Sequence, residues 1–467
     1  VPAQNTPTTF RQRFRADARA ILVLAGPLIV NNVAVAGMSF TDTLMAGRLS
    51  AGDLAAVAVG SAFHIFFYLT GLGVLMAMSP LVAHAYGAGQ NQRMGHLTRQ
   101  ALWLSQLIAL AMIVPMLAVD SILHLIGVDP AIVPKAAGFV YAICCGIPGV
   151  MAFLALRFVS EGIGWTRPIM YTALVALVAN VAGCYVFMYG KLGFPALGAV
   201  GTGVSSALVM WIMFALMLAY VRRHRVYRPY DFFKHFEWPD WRTLREILAL
   251  GLPISGAVIS EGALFVAAAM IMGTMGAAVV AAHQIAINYA ALMFMIPLSI
   301  HSATTIHVGH AIGAGRFAAG RRAGFVGIAL CGLFMACSAL AIVFLGERIA
   351  ALYTHDEAVR TVAAGLLLMA AIFQISDGLQ IGSAGALRGF KDARVPMLLN
   401  LTAYWAIGFP LAYGLGVAQG LGPTYVWVGL IAGLTASAAL LGTRFHLLSS
   451  RVVRTGRPAM LTAQTSE

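Results

Sequence analysis

The sequence is poor in charge. Of its 467 residues only 10% are Asp, Glu, Lys or Arg, whereas 60% are hydrophobic, and the mean hydropathy is +0.84. A soluble domain carries about 25% charged and 45–50% apolar residues, so a water-soluble enzyme, a disordered chain and a coiled coil are excluded. Cysteine is scarce as well. Cys144, Cys145, Cys184, Cys331 and Cys337 are odd in number, lie in apolar runs and form no CxxC, which argues against a disulfide framework and a zinc site. A Walker A loop is lacking, because Gly190-Lys191 is followed by Leu192 without the upstream glycine spacing. HExxH and GxSxG are lacking too. The short alternating strands of an outer-membrane barrel do not occur. No signal-peptide pattern is visible: the first 19 residues are polar, with Arg11, Arg13, Arg15 and Arg19, and the apolar stretch after them is too long for a cleavable core.

What is present is a series of apolar runs rich in Ala, Leu, Val, Met and Gly. A helical crossing needs about 20 such residues. Twelve segments are read, at 20–46, 54–86, 97–119, 136–158, 168–190, 197–221, 245–272, 278–308, 323–346, 358–386, 395–419 and 424–448. The net charge of +13 is then the mark of basic cytoplasmic loops rather than of a nucleic-acid partner. With the N-terminus inside, 24 of the 30 Lys and Arg residues fall on the cytoplasmic side and 5 outside, with Arg157 within a segment. That asymmetry places both termini in the cytoplasm. The expected organisation is a cytoplasmic tail at 1–19, a lobe of six helices at 20–222, a cytoplasmic linker at 223–244, a second six-helix lobe at 245–449 and a tail at 450–467. The linker is rich in Arg and His, and Phe232, Phe233, Phe236, Trp238 and Trp241 are expected at the membrane interface.

An internal repeat supports this division. At an offset of 226, Leu24 and Pro27 fall on Leu250 and Pro253, Gly47 on Gly273, and Ala55-Ala56 on Ala281-Ala282. Val-Ala-His-Ala-Tyr-Gly-Ala-Gly (82–89) falls on Val-Gly-His-Ala-Ile-Gly-Ala-Gly (308–315), with six of eight positions identical. Six segments per half make the repeat parallel, about a pseudo-two-fold axis along the membrane normal, as in transporters whose site lies between the halves. The fold class expected is therefore an all-α polytopic membrane protein of twelve transmembrane helices. Pro27, Pro253 and Pro297 sit inside helices, as hinges or as ordinary kinks.

Three of the 17 acidic residues lie where acids are costly. Asp42 is late in the first segment, Glu261 is in the middle of the seventh and Asp377 in the middle of the tenth. A carboxylate in a spanning helix costs a few kcal/mol and survives by facing a cavity or a partner. Desolvation disfavours the charged form of such a group, which lets it exchange protons or hold a small cation. None of the three has an acidic counterpart in the other half, so the shared scaffold does not require them. Glu161, four residues after Arg157, reads as a structural i,i+4 pair. Asn180, Thr202, Gln284, Asn288, Gln374, Gln380, His64, His283 and His301 are the other intramembrane polar groups, and such a residue by itself is more often an interhelical hydrogen-bonding group than a ligand. The GxxxG pairs Gly378–Gly382 and Gly385–Gly389 indicate close helix packing.

The six-plus-six layout and the repeated Gly-Ala-Gly resemble the multidrug and toxic compound extrusion (MATE) transporters, NorM branch. So do Asp-Thr-Leu-Met-Ala-Gly (42–47), Ala-Ala-His-Gln-Ile-Ala (281–286), Phe-Met-Ile-Pro (294–297) and Ala-Leu-Arg-Gly-Phe-Lys-Asp (386–392). The resemblance covers residues 20–450. It implies two six-helix lobes that open alternately to either side, and export of cationic lipophilic drugs and dyes in exchange for Na+ or H+. It implies no enzymatic activity, no cofactor beyond the coupling ion, no nucleic-acid partner, a monomer, and residence in the bacterial inner membrane. By resemblance, Glu261 and Asp377 carry a cation site in the second lobe, tentatively for Na+. Asp42 with Asn180 and Thr202 corresponds to an acid site in the first. Gln284 falls where a drug-contacting residue is expected, with Asn288, Met293, Phe294 and Ser61 as further substrate-lining candidates. One departure stands out: Phe373 and Phe294 lack the hydroxyl that some relatives carry there, which leaves the choice of ion open. The readings kept beside antiport are a lipid-linked saccharide flippase, which would need a basic cavity, an intramembrane aspartyl enzyme using Asp42 and Asp377, and a channel.

Overall fold

The computed structural model describes residues 9–457, and the expected tails lie partly outside them. The described chain is helical: α1 (Phe10–Leu49), α2 (Ala51–Leu75), α3 (Met78–Gly87), α4 (Asn91–Met116), α5 (Val119–Leu125), α6 (Val133–Cys144), α7 (Ile147–Ile163), α8 (Arg167–Tyr189), α9 (Ala199–Arg223), α10 (Trp241–Gly273), α11 (Ala277–Gly313), α12 (Phe317–Tyr353), α13 (Glu357–Gly389), α14 (Arg394–Leu401), α15 (Phe409–Tyr413) and α16 (Pro423–Thr455). In hydrocarbon every backbone group must find its partner inside the segment, which a helix achieves alone. Among the described residues 11 helical stretches are long and apolar enough to cross a membrane. Counted as one span, α6 with α7 makes twelve; the pair is bent by 49° between Cys144 and Ile147, where Gly146 and the Pro148 near the start of α7 interrupt the helix. Each of the twelve expected segments thus has a helical counterpart.

Local chemistry sets the ends. The Ser50 hydroxyl accepts from Asp53 N at 2.9 Å to start α2, and Asp356 accepts from Ala358 N at 2.9 Å to start α13. Gly164 and Gly190 close α7 and α8 in the left-handed region at φ 87° and 66°. Asp53 also accepts from Ala199 N and pairs with Lys135 Nζ at 3.2 Å, so this acid fastens helix ends.

The chain divides into two compact units. One is Pro27–Ser255; the other joins the chain up to Gly26 with the chain from Gly256 onward. Both divisions fall inside continuous helices, α1 and α10, close to Pro27 and Pro253. The first helix also begins at Phe10, within the stretch read as a polar tail. The Thr9 hydroxyl caps its start, accepting from Gln12 N at 3.4 Å, and Asp17, which is buried, anchors it by holding Arg322 Nε at 2.6 Å and His307 Nε2 at 3.1 Å. Its neighbours Ile21 and Ala25 pack with Ile300, Ala303, Val326, Cys331 and Ile381.

Within the unit Pro27–Ser255, the linker wraps onto α4. Glu237 takes Arg99 Nη2 at 2.5 Å and His96 Nδ1 at 2.7 Å, and Gln100 bridges Trp238 O and Asp240 N. The Arg99 contact first, with His96 behind it, holds the Glu237 carboxyl below its ordinary value. Phe236, Trp238 and Trp241 are exposed, whereas Phe232 is buried. In place of Phe232, Phe233 presents its ring to Arg222, 5.0 Å away. Arg157 Nε and Glu161 Oε1 lie 2.9 Å apart, as the i,i+4 spacing predicts.

In the other unit, the glycine pairs let helices meet at backbone distance. A Cβ on Gly378 or Gly382 would come within 2.9 Å of Cys331 O or Ile328 Cα on α12, and one on Gly385 within 2.7 Å of His301 O on α11. His301 Nδ1 is bonded to Ile381 O at 2.8 Å, a packing role. Between α14 and α16 the chain widens into π-helical turns at 402–408 and 414–418. Gly408 lies against Gly433 of α16, and Gly429 lies against Ala412, with no room for side chains.

Candidate functional site

In the unit from Gly256 onward, α10, α11 and α13 enclose a cavity of about 220 Å³. Its wall consists of Phe265, Ile287, Ala290, Ala291, Phe294 and Phe373, and its charged groups are Glu261 and Asp377. Helical spacing explains the set: Glu261 and Phe265, Ala290 and Phe294, and Phe373 and Asp377 are i,i+4 pairs, each on one face. The Phe373 ring is held edge-on between Phe265 at 5.9 Å and Trp427 at 5.6 Å.

Of the two acids Glu261 is half-buried and Asp377 is poorly satisfied. Asp377 is 4% exposed and its Oδ1 has no hydrogen-bond partner among the described residues. Neither carboxylate forms an ion pair there; Arg388 is the basic group whose field reaches Glu261, and Glu261 is the charge that reaches Asp377. A buried carboxylate without a counter-charge is expensive, so this arrangement fits a group that is neutralised in use. The donor set, two carboxylates beside an aromatic wall, suits protons or a monovalent cation. A drug-sized molecule needs about 300–1,000 Å³, more than this cavity holds.

The second acid site lies in the unit Pro27–Ser255. Asp42 Oδ1 accepts from Asn180 Nδ2 at 3.0 Å and from Cys184 Sγ at 3.2 Å. Asn180 is itself held by α9, where the Ser205 hydroxyl donates to Asn180 O at 3.3 Å. Thr202, one turn before Ser205, is fully buried, and both Thr202 Oγ1 and Asn180 Oδ1 lack a partner among the described residues. The sequence brought Asp42, Asn180 and Thr202 forward together but passed over Cys184, which it read as part of an apolar run. The i,i+4 spacing from Asn180 to Cys184 was the available signal.

The substrate candidates divide. Phe294 lines the cavity. Gln284 and Asn288 are exposed and hydrogen-bonded to each other at 3.0 Å, one turn apart on α11, outside the cavity wall. Met293 is half-buried and does not line it, and Ser61 is half-buried in the other unit. Among the described residues no group of three His, Cys, Asp or Glu could hold a metal ion, so Glu261 and Asp377 form a pair without a third such side chain.

Comparison with known proteins decides the family. The MatE family profile matches residues 27–186 and again 253–414, two matches that begin at the repeat offset of 226. This chain belongs to the MATE family. It is a multi-pass membrane transporter, not an enzyme. It is 40% identical over 454 residues to a probable multidrug resistance protein NorM of Xanthomonas axonopodis pv. citri, covering 97% of this chain and 99% of that one. It is 38% identical over 446 residues to the multidrug resistance protein MdtK of Yersinia enterocolitica, covering 94% and 97%. The MATE fold is seen in a crystal structure of a MATE in the bent conformation, with a TM-score of 0.87 at 20% identity, covering 97% of this chain and 100% of that one. A eukaryotic MATE transporter matches with a TM-score of 0.86 at 19% identity, covering 95% and 99%.

Proposed function

We propose that this MATE transporter is a multidrug antiporter that exports cationic lipophilic compounds in exchange for Na+ or H+. The observation that carries the reading is the pair Glu261 and Asp377, which share an aromatic cavity and have no ion-pair partner among the described residues. The site is acidic, which suits a cation and opposes the basic cavity that a pyrophosphate-bearing saccharide would need. The relatives named for multidrug resistance support the substrate class.

The mechanism is competition for negative charge. With access from the cytoplasm, the drug cation is held near ionised carboxylates and apolar walls. With access from outside, Na+ or H+ neutralises Glu261 and Asp377 and the drug leaves. Asp42, with Asn180 and Thr202, is a second point at which a coupling ion is taken up. Gln284, Asn288, Met293 and Ser61 contribute to a drug surface outside the small cavity. Helices α1 and α10 bend at Pro27 and Pro253 as access alternates, and both termini face the cytoplasm of the bacterial inner membrane.

One elementary charge crossing 100 mV is worth about 2.3 kcal/mol. A monovalent drug leaving and one ion entering therefore cancel electrically, and export is driven by the ion's chemical gradient at about 1.4 kcal/mol per tenfold. The test is ethidium efflux from proteoliposomes with an inward Na+ gradient, or with a pH gradient in Na+-free buffer. At least one gradient is expected to drive efflux in the parent, and Glu261→Gln, Asp377→Asn and Asp42→Asn are expected to reduce it. Equal efflux in the parent and all three variants would refute the mechanism.

A further inference from the structure

The hydroxyls absent at Phe373 and Phe294 leave the acid pair without a neutral oxygen on the cavity wall. The fold supplies one from another helix. Tyr404 stands in the π-helical turn between α14 and α15, is completely buried, and its hydroxyl has no hydrogen-bond partner among the described residues. Tyr404 belongs to the same buried cluster as Phe373, with Phe265 packed against that cluster, and these two rings lie one turn from Asp377 and Glu261 on their helices. The Ser437 hydroxyl is committed elsewhere, donating to Asn400 Oδ1 at 2.6 Å.

Two features fix this placement. Trp405 Nε1 donates to Ser260 Oγ at 3.0 Å, so the residue after Tyr404 is tied to the residue before Glu261. The close approach of Gly408 and Gly433 holds the widened turn against α16. Extra-wide turns of this kind recur at functional sites because they re-aim side chains that a regular helix would point elsewhere. A buried tyrosine hydroxyl normally finds a partner, and on α13 Asp377 Oδ1 and, one turn earlier, both amide atoms of Gln374 are unsatisfied as well.

We propose that the Tyr404 hydroxyl is the third, neutral oxygen of an alkali-cation site completed by Glu261 and Asp377. The inference rests on the antiport reading and narrows it. A proton needs only a carboxylate, whereas a metal cation stripped of water needs further oxygens, and a phenol oxygen offers a lone pair without adding charge.

The experiment is drug efflux by proteoliposomes of the parent, Tyr404→Phe, and Tyr404→Phe with Phe373→Tyr. It is run as a Na+ titration at fixed pH and as a pH titration without Na+. Tyr404→Phe is expected to raise the half-saturating Na+ concentration about tenfold, the worth of one charge-assisted oxygen contact, with the pH dependence unmoved. Phe373→Tyr, which places a hydroxyl on the cavity wall beside the acid pair, is expected to reverse most of that shift. An unchanged Na+ midpoint in Tyr404→Phe overturns the proposal, and so do equal shifts in the Na+ and pH titrations, which mark a merely structural role. If a pH gradient drives efflux in the parent and Na+ has no effect, the alkali site is wrong and antiport stands. If neither gradient drives it, antiport itself fails. Should Tyr404→Phe not fold, Na+ titration of the parent is read by near-UV tyrosine absorbance: a saturable change that is absent from Glu261→Gln supports the site, and no change overturns it.

Discussion

Asp377→Asn separates a carboxylate kept for coupling from one kept for packing. In the parent this group is 4% exposed, with one oxygen unpartnered and another acid, Glu261, in the same cavity. Removing the charge while keeping the shape is expected to stabilise the ion-free protein by about 2 kcal/mol, within the range found when poorly compensated buried charge is removed. For a unit of this size that corresponds to a rise in Tm of roughly 4–8 °C. Coupling ion acts on only one of the two proteins. At a hundred times its Kd it is expected to stabilise the parent by about 2.7 kcal/mol through preferential binding to the folded state, and to leave Asp377→Asn nearly unmoved. The assay is thermal unfolding of the purified transporter in detergent, followed by the loss of monodisperse protein, with and without Na+ in buffer held at one pH. Efflux measured in parallel is expected to fall as stability rises. A variant less stable than the parent, with its response to the ion intact, would show that Asp377 is a structural hydrogen-bonding residue and would refute the reasoning.

Three other outcomes follow from the same geometry. Cys184→Ser keeps a donor for Asp42 and is expected to transport like the parent, whereas Cys184→Ala should lower stability by about 1 kcal/mol and alter the ion dependence of efflux; equal behaviour of the two in efflux assays would count against a role for the thiol. Gly378→Leu drives a side chain into Met335 and the Cys331 carbonyl and is expected to cost about 1–3 kcal/mol or more, read as loss of folded protein on size-exclusion chromatography. Glu237 has its carboxyl lowered by Arg99 and His96, so the stability from that contact is present above the ordinary carboxylate range, about pH 4, and is lost as pH falls through the lowered value. Hydrogen exchange in the linker should therefore accelerate at acid pH, and Glu237→Gln should abolish that pH dependence.

The sequence made the spanning helices legible because hydropathy over about 20 residues is a property of the segment itself. The repeat was legible because a constant offset does not depend on structure, and Glu261 and Asp377 because an acid in an apolar run is conspicuous anywhere. Features that depend on distant partners were hidden. Asp17 looked like one more polar residue of a tail until His307 and Arg322 on other helices gave it a site. Tyr404 looked like an ordinary aromatic, since nothing local marks the widened turn that lies against α16 through Gly408 and Gly433. Cys184 counted only as a cysteine without a disulfide. Gln284 and Asn288 satisfy each other on one turn of helix, a local arrangement that says nothing of the cavity beside them.

The central claim is that the charge of Glu261 and Asp377 couples drug exit to ion entry. Its most direct test is simultaneous measurement of ethidium efflux and of ion uptake, by 22Na+ or an internal pH dye, in proteoliposomes of the parent and of the Glu261→Gln, Asp377→Asn double variant. Ion uptake that rises with drug efflux in the parent and vanishes in the double variant is the predicted result. Drug efflux with undiminished ion uptake in the double variant would contradict it.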